Sequence, residues 1–104
     1  MTDHELCLAA AKAAGYTVES DHTGWIKRTG PDGLTAYWEP LKYGAEAFEL
    51  MVDCWLEVSV LIGFTEVEAL GETRVIRVSE EHGTDKHAAT RRAIVRAAAA
   101  MGES

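Results

Sequence analysis

The densest group of residues that could perform chemistry is a set of acids and histidines in the last third of the chain. The runs Glu80-Glu81-His82 and Asp85-Lys86-His87 bring imidazoles and carboxylates together, and both groups are ligands for divalent metals. Their spacing is not that of a known metal motif. A polar loop and a helix cap account for the same residues, because the helix dipole favours acids near a helix N-terminus. We therefore predict no metal and no cofactor.

A second candidate for chemistry is Cys7, which follows His4 at helical spacing. A nucleophile needs a neighbouring base and a third group that orients the base. A small thiol on the packing side of a helix is the simpler interpretation of Cys7. Gly24, Gly30 and Gly33 belong to turns, whereas a phosphate-binding loop leads from a strand into a helix. The pattern predicts no catalytic residues, and hence a protein that is not an enzyme.

Residues suited to binding are more prominent than residues suited to catalysis. Arg91, Arg92 and Arg96 fall on the last predicted helix of an otherwise acidic chain. Arginine offers a planar fork of donors to carboxylates and phosphates, although a solvated helix face gives the same pattern. Trp, Tyr and Arg also dominate protein interfaces. The aromatic candidates are Trp25, Tyr37, Trp38, Tyr43 and Trp55, and the first four join the three arginines as the predicted binding residues.

Two alanine-rich helices are predicted near the ends of the sequence. Thr2 and Glu5 fit a capping box for a helix that runs to Ala14, with Gly15 as its left-handed stop. The last helix is predicted over residues 85–101. Its small apolar residues recur at helical spacing, so we expect that side to pack on a sheet and the arginines to face away from it.

A third helix is predicted from Gly44, in the middle of the chain. Phe48, Met51, Val52 and Trp55 follow the spacing i, i+3, i+4, i+7, which is typical of a helix face that lies on a core. Residues 25–29 and 34–38 are predicted to form a hairpin around a glycine and proline turn. Whether residues 16–20 form a further short strand is left open.

The strongest strand pattern lies over residues 56–62, which alternate with period two and are rich in β-branched side chains. We expect this strand to be central, with Val58 and Val60 buried. Residues 65–69 and 73–78, joined by a turn at Gly71-Glu72, complete a meander. The resulting expectation is an α+β fold with three helices and a mostly antiparallel sheet of about five strands, in the order α-β-β-α-β-β-β-α.

Length and charge narrow the possible partners. The 104 residues predict one domain, residues 1–104, and the net charge of −7 opposes direct binding to nucleic acid. No leader sequence and no apolar run of about 20 residues is seen, so we expect a cytoplasmic protein without membrane contact. A domain this small leaves much of its surface exposed, which makes a homodimer a reasonable expectation.

Two stretches together carry a resemblance to a known group. Trp38-Glu39-Pro40 leads into the helical run Ala47-Phe48-Glu49-Leu50, and an alanine- and arginine-rich helix follows over residues 87–99. In this order they resemble small bacteriophage and prophage accessory proteins of the phage ABA-sandwich, NinX-like kind, over roughly residues 25–101. The resemblance implies a helix-sheet-helix sandwich and carries no catalytic residues across. The long acidic stretch at residues 79–85 departs from the group.

These observations favour a phage-derived accessory protein that binds a host protein or complex stoichiometrically, as anti-CRISPR and other counter-defence inhibitors do. An acidic protein can cover a basic groove that normally holds nucleic acid, because complementary potentials steer association. The alternative is a dimer that sequesters a small anionic ligand, such as a nucleotide, with the arginines of the last helix.

Overall fold

Local signals divide the chain into short elements separated by turns. The computed structural model describes residues 1–21, 23–71 and 74–103, and within them three helices and six strands follow one another. The helices are α1 (Asp3–Ala14), α2 (Gly44–Asp53) and α3 (Lys86–Gly102). The strands are β1 (Thr17–Ser20), β2 (Ile26–Thr29), β3 (Thr35–Tyr37), β4 (Glu57–Val60), β5 (Phe64–Leu70) and β6 (Val75–Glu81).

The start and stop of α1 follow from its end residues. The Thr2 hydroxyl accepts from the backbone N–H of Glu5, and the Glu5 carboxylate accepts from the N–H of Thr2, each at 3.1 Å. This capping box satisfies donors that a helix start leaves free. Gly15 has φ of 75° and donates its N–H back to the carbonyl of Lys12. The predicted boundaries of this helix are confirmed.

The strands form two separate antiparallel sheets, β1-β2-β3 and β4-β5-β6. The prediction of one sheet of about five strands in the order α-β-β-α-β-β-β-α is therefore wrong, and so is a sandwich around a single sheet. The observed order is α-β-β-β-α-β-β-β-α. The added strand is β1, which pairs with β2 from Thr17 opposite Thr29 to Ser20 opposite Ile26. The predicted turn residue Glu72 and strand residue Thr73 lie outside the described residues.

The position of β4 also differs from the prediction. β5 is the central strand of the second sheet and buries Thr65, Val67 and Ala69 on one face, whereas β4 lies at an edge. The expected burial of Val58 and Val60 is wrong, because Val58 is half-buried and Val60 is 57% exposed. A period-two pattern shows which side chains share a face, but it does not show whether another element covers that face.

The core is centred on α3, which contacts α1, α2 and both longer strands of the second sheet. Its small side chains let α1 approach closely, and a Cβ atom added at Gly102 would lie 2.1 Å from the carbonyl oxygen of Ala9. Ala97 and Ala98 are fully buried. Within the described residues, no helix is long and apolar enough to cross a membrane.

α2 turns a different side to the core from the one predicted. Ala47, Leu50 and Cys54 are buried, whereas Phe48 is 61% exposed and Val52 is exposed as well. The prediction that this face lies on the core is therefore wrong for Phe48, Val52 and Trp55, whereas Met51 is partly buried and packs against the core. Two apolar stripes share this helix, and the smaller side chains occupy the inner one because α3 packs close to α2.

Tyr16 joins the first sheet to α2. Its ring meets Trp38 edge to face at a centroid distance of 5.7 Å, and the Arg28 guanidinium lies 3.4 Å from the ring centroid. The Tyr16 hydroxyl donates to the Asp53 carboxylate, and Arg28 forms an ion pair with Glu49. Sheet and helix are thus connected by stacked and hydrogen-bonded side chains as well as by apolar contact.

The Tyr16 hydroxyl should make stability depend on alkaline pH. Burial, and next the hydrogen bond to Asp53, raise its pKa above the ordinary value. A raised folded-state pKa stabilises the protein below the unfolded-state pKa of about 10, and that stabilisation is lost as the pH rises further. We expect Tyr16→Phe to show a shallower loss of stability above about pH 10 than the wild type. Urea unfolding at a series of pH values measures the two slopes, and equal slopes would contradict this assignment.

Candidate functional site

The first sheet presents an exposed face that carries two of the predicted aromatic residues. Register places Glu19, Lys27 and Tyr37 side by side on neighbouring strands. Trp25 directly precedes β2, and it belongs to the same face because its ring contacts the ring of Tyr37. We call these four residues, Trp25, Lys27, Tyr37 and Glu19, the aromatic sheet face.

The two aromatic rings of this face contact each other. The centroids of Trp25 and Tyr37 are 5.7 Å apart with their planes tilted by 59°, and the rings remain 48% and 57% exposed. The Lys27 ammonium lies 5.5 Å from the centroid of Tyr37, within the range of a cation–π interaction. The arrangement is a flat, partly apolar surface with one cation and one carboxylate beside it.

The reverse side of the same sheet is buried and holds the face in place. Ile26 and Trp38 occupy alternate positions that point inward, and both are buried. Trp38 was predicted as a binding residue, but it is only 3% exposed and therefore lies in the core. Its role is to support the strands from which Trp25 and Tyr37 project.

An open cleft of about 430 Å³ adjoins the aromatic sheet face. Trp25 belongs to both, and the lining also includes Asp3, His4, Glu39 and Lys42. Within the described residues the Glu39 carboxylate takes part in no ion pair, whereas Asp3 is paired with Arg92. The cleft therefore offers an acidic group next to an aromatic ring.

The predicted arginines do not converge on one free surface. Each guanidinium is engaged by a different part of the chain. The three contacts are Arg91 Nε to the Leu41 carbonyl oxygen at 2.9 Å, Arg92 Nη2 to the Asp3 carboxylate at 3.0 Å, and Arg96 to the Glu80 carboxylate. An anion that bound all three would have to displace these acceptors, so the arrangement gives no support to the nucleotide-binding alternative.

The residues considered for chemistry are used elsewhere in the fold. The Asp85 carboxylate caps α3 by accepting from the N–H groups of His87 and Ala88, and His82 Nε2 lies 2.8 Å from the Thr65 hydroxyl. Across the described parts of the chain, no three His, Cys, Asp or Glu side chains are grouped to hold a metal ion. Burial raises the pKa of the Cys7 thiol to about 11, which opposes formation of the thiolate that a nucleophile needs.

Two aromatic residues lie apart from the aromatic sheet face. Tyr43 precedes α2, is half-exposed, and has the Lys42 ammonium 5.3 Å from its ring centroid. Trp55 follows α2 with φ of 56° and is 90% exposed. A bulky residue rarely adopts positive φ, so Trp55 is held in an unfavourable backbone conformation while its side chain is in solvent.

Sequence reasoning missed Lys27 and Glu19 as parts of the aromatic sheet face. For Lys27 the signal was available, because it follows Trp25 by two residues. Glu19 joins the face only through the pairing of β1 with β2. Comparison of the chain with models of protein families, with curated proteins and with solved structures finds no match. The resemblance to phage ABA-sandwich proteins therefore stays a prediction.

Proposed function

We propose that the protein acts by stoichiometric binding of a partner protein through the aromatic sheet face. The observation that carries the proposal is the contact between Trp25 and Tyr37, two large rings that remain about half-exposed on the first sheet and its flank. The interface residues whose truncation costs about 2 kcal/mol or more in binding energy are enriched in Trp and Tyr. Exposed apolar surface of this kind is a common mark of an interaction site.

The way the rings are mounted also favours binding. Trp25 and Tyr37 lie beside paired strands whose reverse side is filled by Ile26 and Trp38. Aromatic side chains have few rotatable bonds, and their mutual contact restricts them further. Little conformational entropy is lost when a partner covers side chains that are already ordered.

The charge of the chain indicates what kind of partner surface would fit. The protein carries a net charge of −7, so a basic partner would be attracted and a nucleic acid repelled. In the cleft beside Trp25, the Glu39 carboxylate takes part in no ion pair with any residue that the structure describes, and it is suited to a basic side chain of the partner. The resemblance to phage accessory proteins supports the rest of the proposal. The partner is a protein complex in the host cytoplasm, and this protein inhibits it as a counter-defence inhibitor does.

The test combines capture from host lysate with variants of the face. We expect the wild-type protein, immobilised at micromolar concentration, to retain a partner that chemical cross-linking places at the first sheet. Trp25→Ala with Tyr37→Ala should weaken binding of the purified partner at least about 100-fold in calorimetry, because two central aromatic anchors are removed. Both rings are half-exposed, so the double variant should keep the fold.

Tyr43→Ala is the matched control, because Tyr43 is exposed to the same degree as Trp25 but lies outside the face. It should bind the partner as the wild type does. Retention of no partner, or equal binding by the double variant, would overturn the proposal.

A further inference from the structure

Two elements whose sequence patterns predict burial are exposed, and they adjoin each other. The outer stripe of α2 and the edge strand β4 both turn apolar side chains to solvent. We call this region the α2–β4 surface. Its residues are Phe48, Met51, Val52, Trp55, Val58 and Val60.

A groove of about 310 Å³ runs within this surface. Its floor and walls include Phe48 and Met51 of α2, Val58 and Val60 of β4, and Ile94 of α3. A second depression beside Trp55 shares the lining residue Met51 with it, so the two adjoin the same side chain. The helix that covers β5 and β6 thus leaves the inward face of β4 incompletely covered.

The free edge of β4 is open to strand pairing. Leu61 donates its N–H to Phe64 across the β4–β5 turn. Because alternate residues of a strand direct their backbone groups to opposite sides, Ser59 also faces β5, and the N–H and C=O groups of Val58 and Val60 face away from the sheet. A two-fold axis at Ser59 would therefore place Val58 of one strand opposite Val60 of another, with their backbone groups in register.

The opposite edge of the same sheet is protected, whereas β4 is not. On β6, the inward position Glu80 carries a charge that is paired with Arg96. An inward charge of this kind discourages another strand from adding to an edge. Within Glu57–Val60 the inward positions are both valine, and the segment contains no proline or lysine. The edge that is left open is the one beside the exposed apolar stripe.

The face of β4 opposite to the groove carries an unfavourable charge pair. Glu57 lies opposite Glu68 on β5, and because side chains alternate along a strand, both lie on the face away from Val58 and Val60. Like charges directly opposite each other disfavour the pairing of two strands. The groove itself is therefore lined mainly by apolar side chains where β4 contributes to it.

We propose that the α2–β4 surface binds a second copy of this chain, with the two β4 strands paired antiparallel about Ser59. The pairing joins two three-stranded sheets into one of six strands, and it brings the outer stripes of the two α2 helices to the same side. The surface is thus complementary to itself in backbone hydrogen bonds and in apolar side chains.

The proposal goes beyond the partner-binding function and uses a different surface. Strand pairing alone buries less than the roughly 800 Å² per partner of a standard interface. Phe48, Val52 and Trp55 extend the contact beyond the strand. Trp55 is held at the end of α2, next to the strand, where a second copy would meet it.

The first experiment is sedimentation equilibrium of the wild type and two lysine variants. We expect the wild type to have twice the chain mass of 11.3 kDa at micromolar concentration. Val60→Lys should dimerise at least about 100-fold more weakly, because each copy would bury an unpaired charge. Leu70→Lys adds the same charge at an exposed position on β5, and we expect it to remain dimeric.

The second experiment is circular dichroism of both lysine variants, which would reveal a failure to fold. Val60 and Leu70 are both exposed, so we expect both variants to keep the fold.

A monomeric wild type, or a Val60→Lys variant that dimerises normally, would overturn the proposal. The result is separable from the partner-binding function, because Trp25→Ala with Tyr37→Ala should leave the dimer unchanged. Conversely, Val60→Lys should still bind a partner at the aromatic sheet face.

Discussion

Ala97→Glu is expected to leave the protein unfolded in the absence of denaturant. Ala97 has no exposed surface and lies on α3, the helix on which the core is centred. A buried carboxylate without a partner costs several kcal/mol, and the larger side chain adds about 1 to 3 kcal/mol of overpacking. Domains of this size are stable by only about 5 to 15 kcal/mol. Circular dichroism and urea titration measure the loss.

A control variant separates the effect of burying a charge from the effect of changing the net charge. Arg92→Glu with Arg96→Glu changes the net charge more than Ala97→Glu does, but at positions that remain partly exposed. Exposed ion pairs contribute at most about 1 kcal/mol each, so this double variant should stay folded. A folded Ala97→Glu protein, or an unfolded arginine double variant, would contradict the packing of α3 described above.

Gly102→Ala is expected to lower the free energy of unfolding by about 2 to 3 kcal/mol. The added Cβ would lie 2.1 Å from the carbonyl oxygen of Ala9 and 3.0 Å from its carbonyl carbon. Both are backbone atoms of α1, so the helices must separate where they now touch. Alanine favours a helix over glycine by about 1 kcal/mol, and the clash must exceed this gain.

Gly44→Ala provides the matched control for this substitution. Gly44 is the first residue of α2, and an added Cβ would meet nothing within 4 Å. The same change should therefore be neutral or stabilise the protein by up to about 1 kcal/mol. Chemical unfolding of both variants measures the difference, and a loss at Gly44 as large as that at Gly102 would contradict the close approach of α1 and α3.

The features that the sequence predicted correctly are those decided by neighbouring residues. Thr2, Glu5 and Gly15 determine the ends of α1 through contacts within one or two turns. The hairpin of β2 and β3 follows in the same way from its turn, in which Gly33 has φ of 82°. Such signals act before any tertiary contact forms, so they can be recognised in the sequence alone.

Features that depend on distant contacts were predicted wrongly. Phe48 and Val60 belong to strong apolar patterns, yet both are exposed. An apolar pattern shows that a face is suited to burial, but not whether this chain or another molecule covers it. The division into two sheets likewise depends on which strands pair in the folded chain, and the alternating pattern of one strand does not specify its neighbour.

The candidate site was partly predictable for the same reason. Trp25 and Tyr37 lie on the two arms of a hairpin, so their proximity follows from the turn between them. The burial of Trp38 was not predictable, because it depends on Tyr16 and the helices behind the sheet. The acceptors of the three arginines lie far away in the sequence, and only the folded chain brings them together.

The close pairing of α1 with α3 has a consequence for the order in which the chain can fold. α1 is synthesised early, but its main partner is the helix over Lys86–Gly102. Until that segment has been made, the shallow alanine face of α1 has little to bury, and an isolated helix of its length is marginal in water. Joining the two closes a loop that contains both sheets, and contacts so distant in sequence slow folding. This mainly helical core should therefore assemble late and cooperatively, and more slowly than a helical core whose helices are neighbours in sequence.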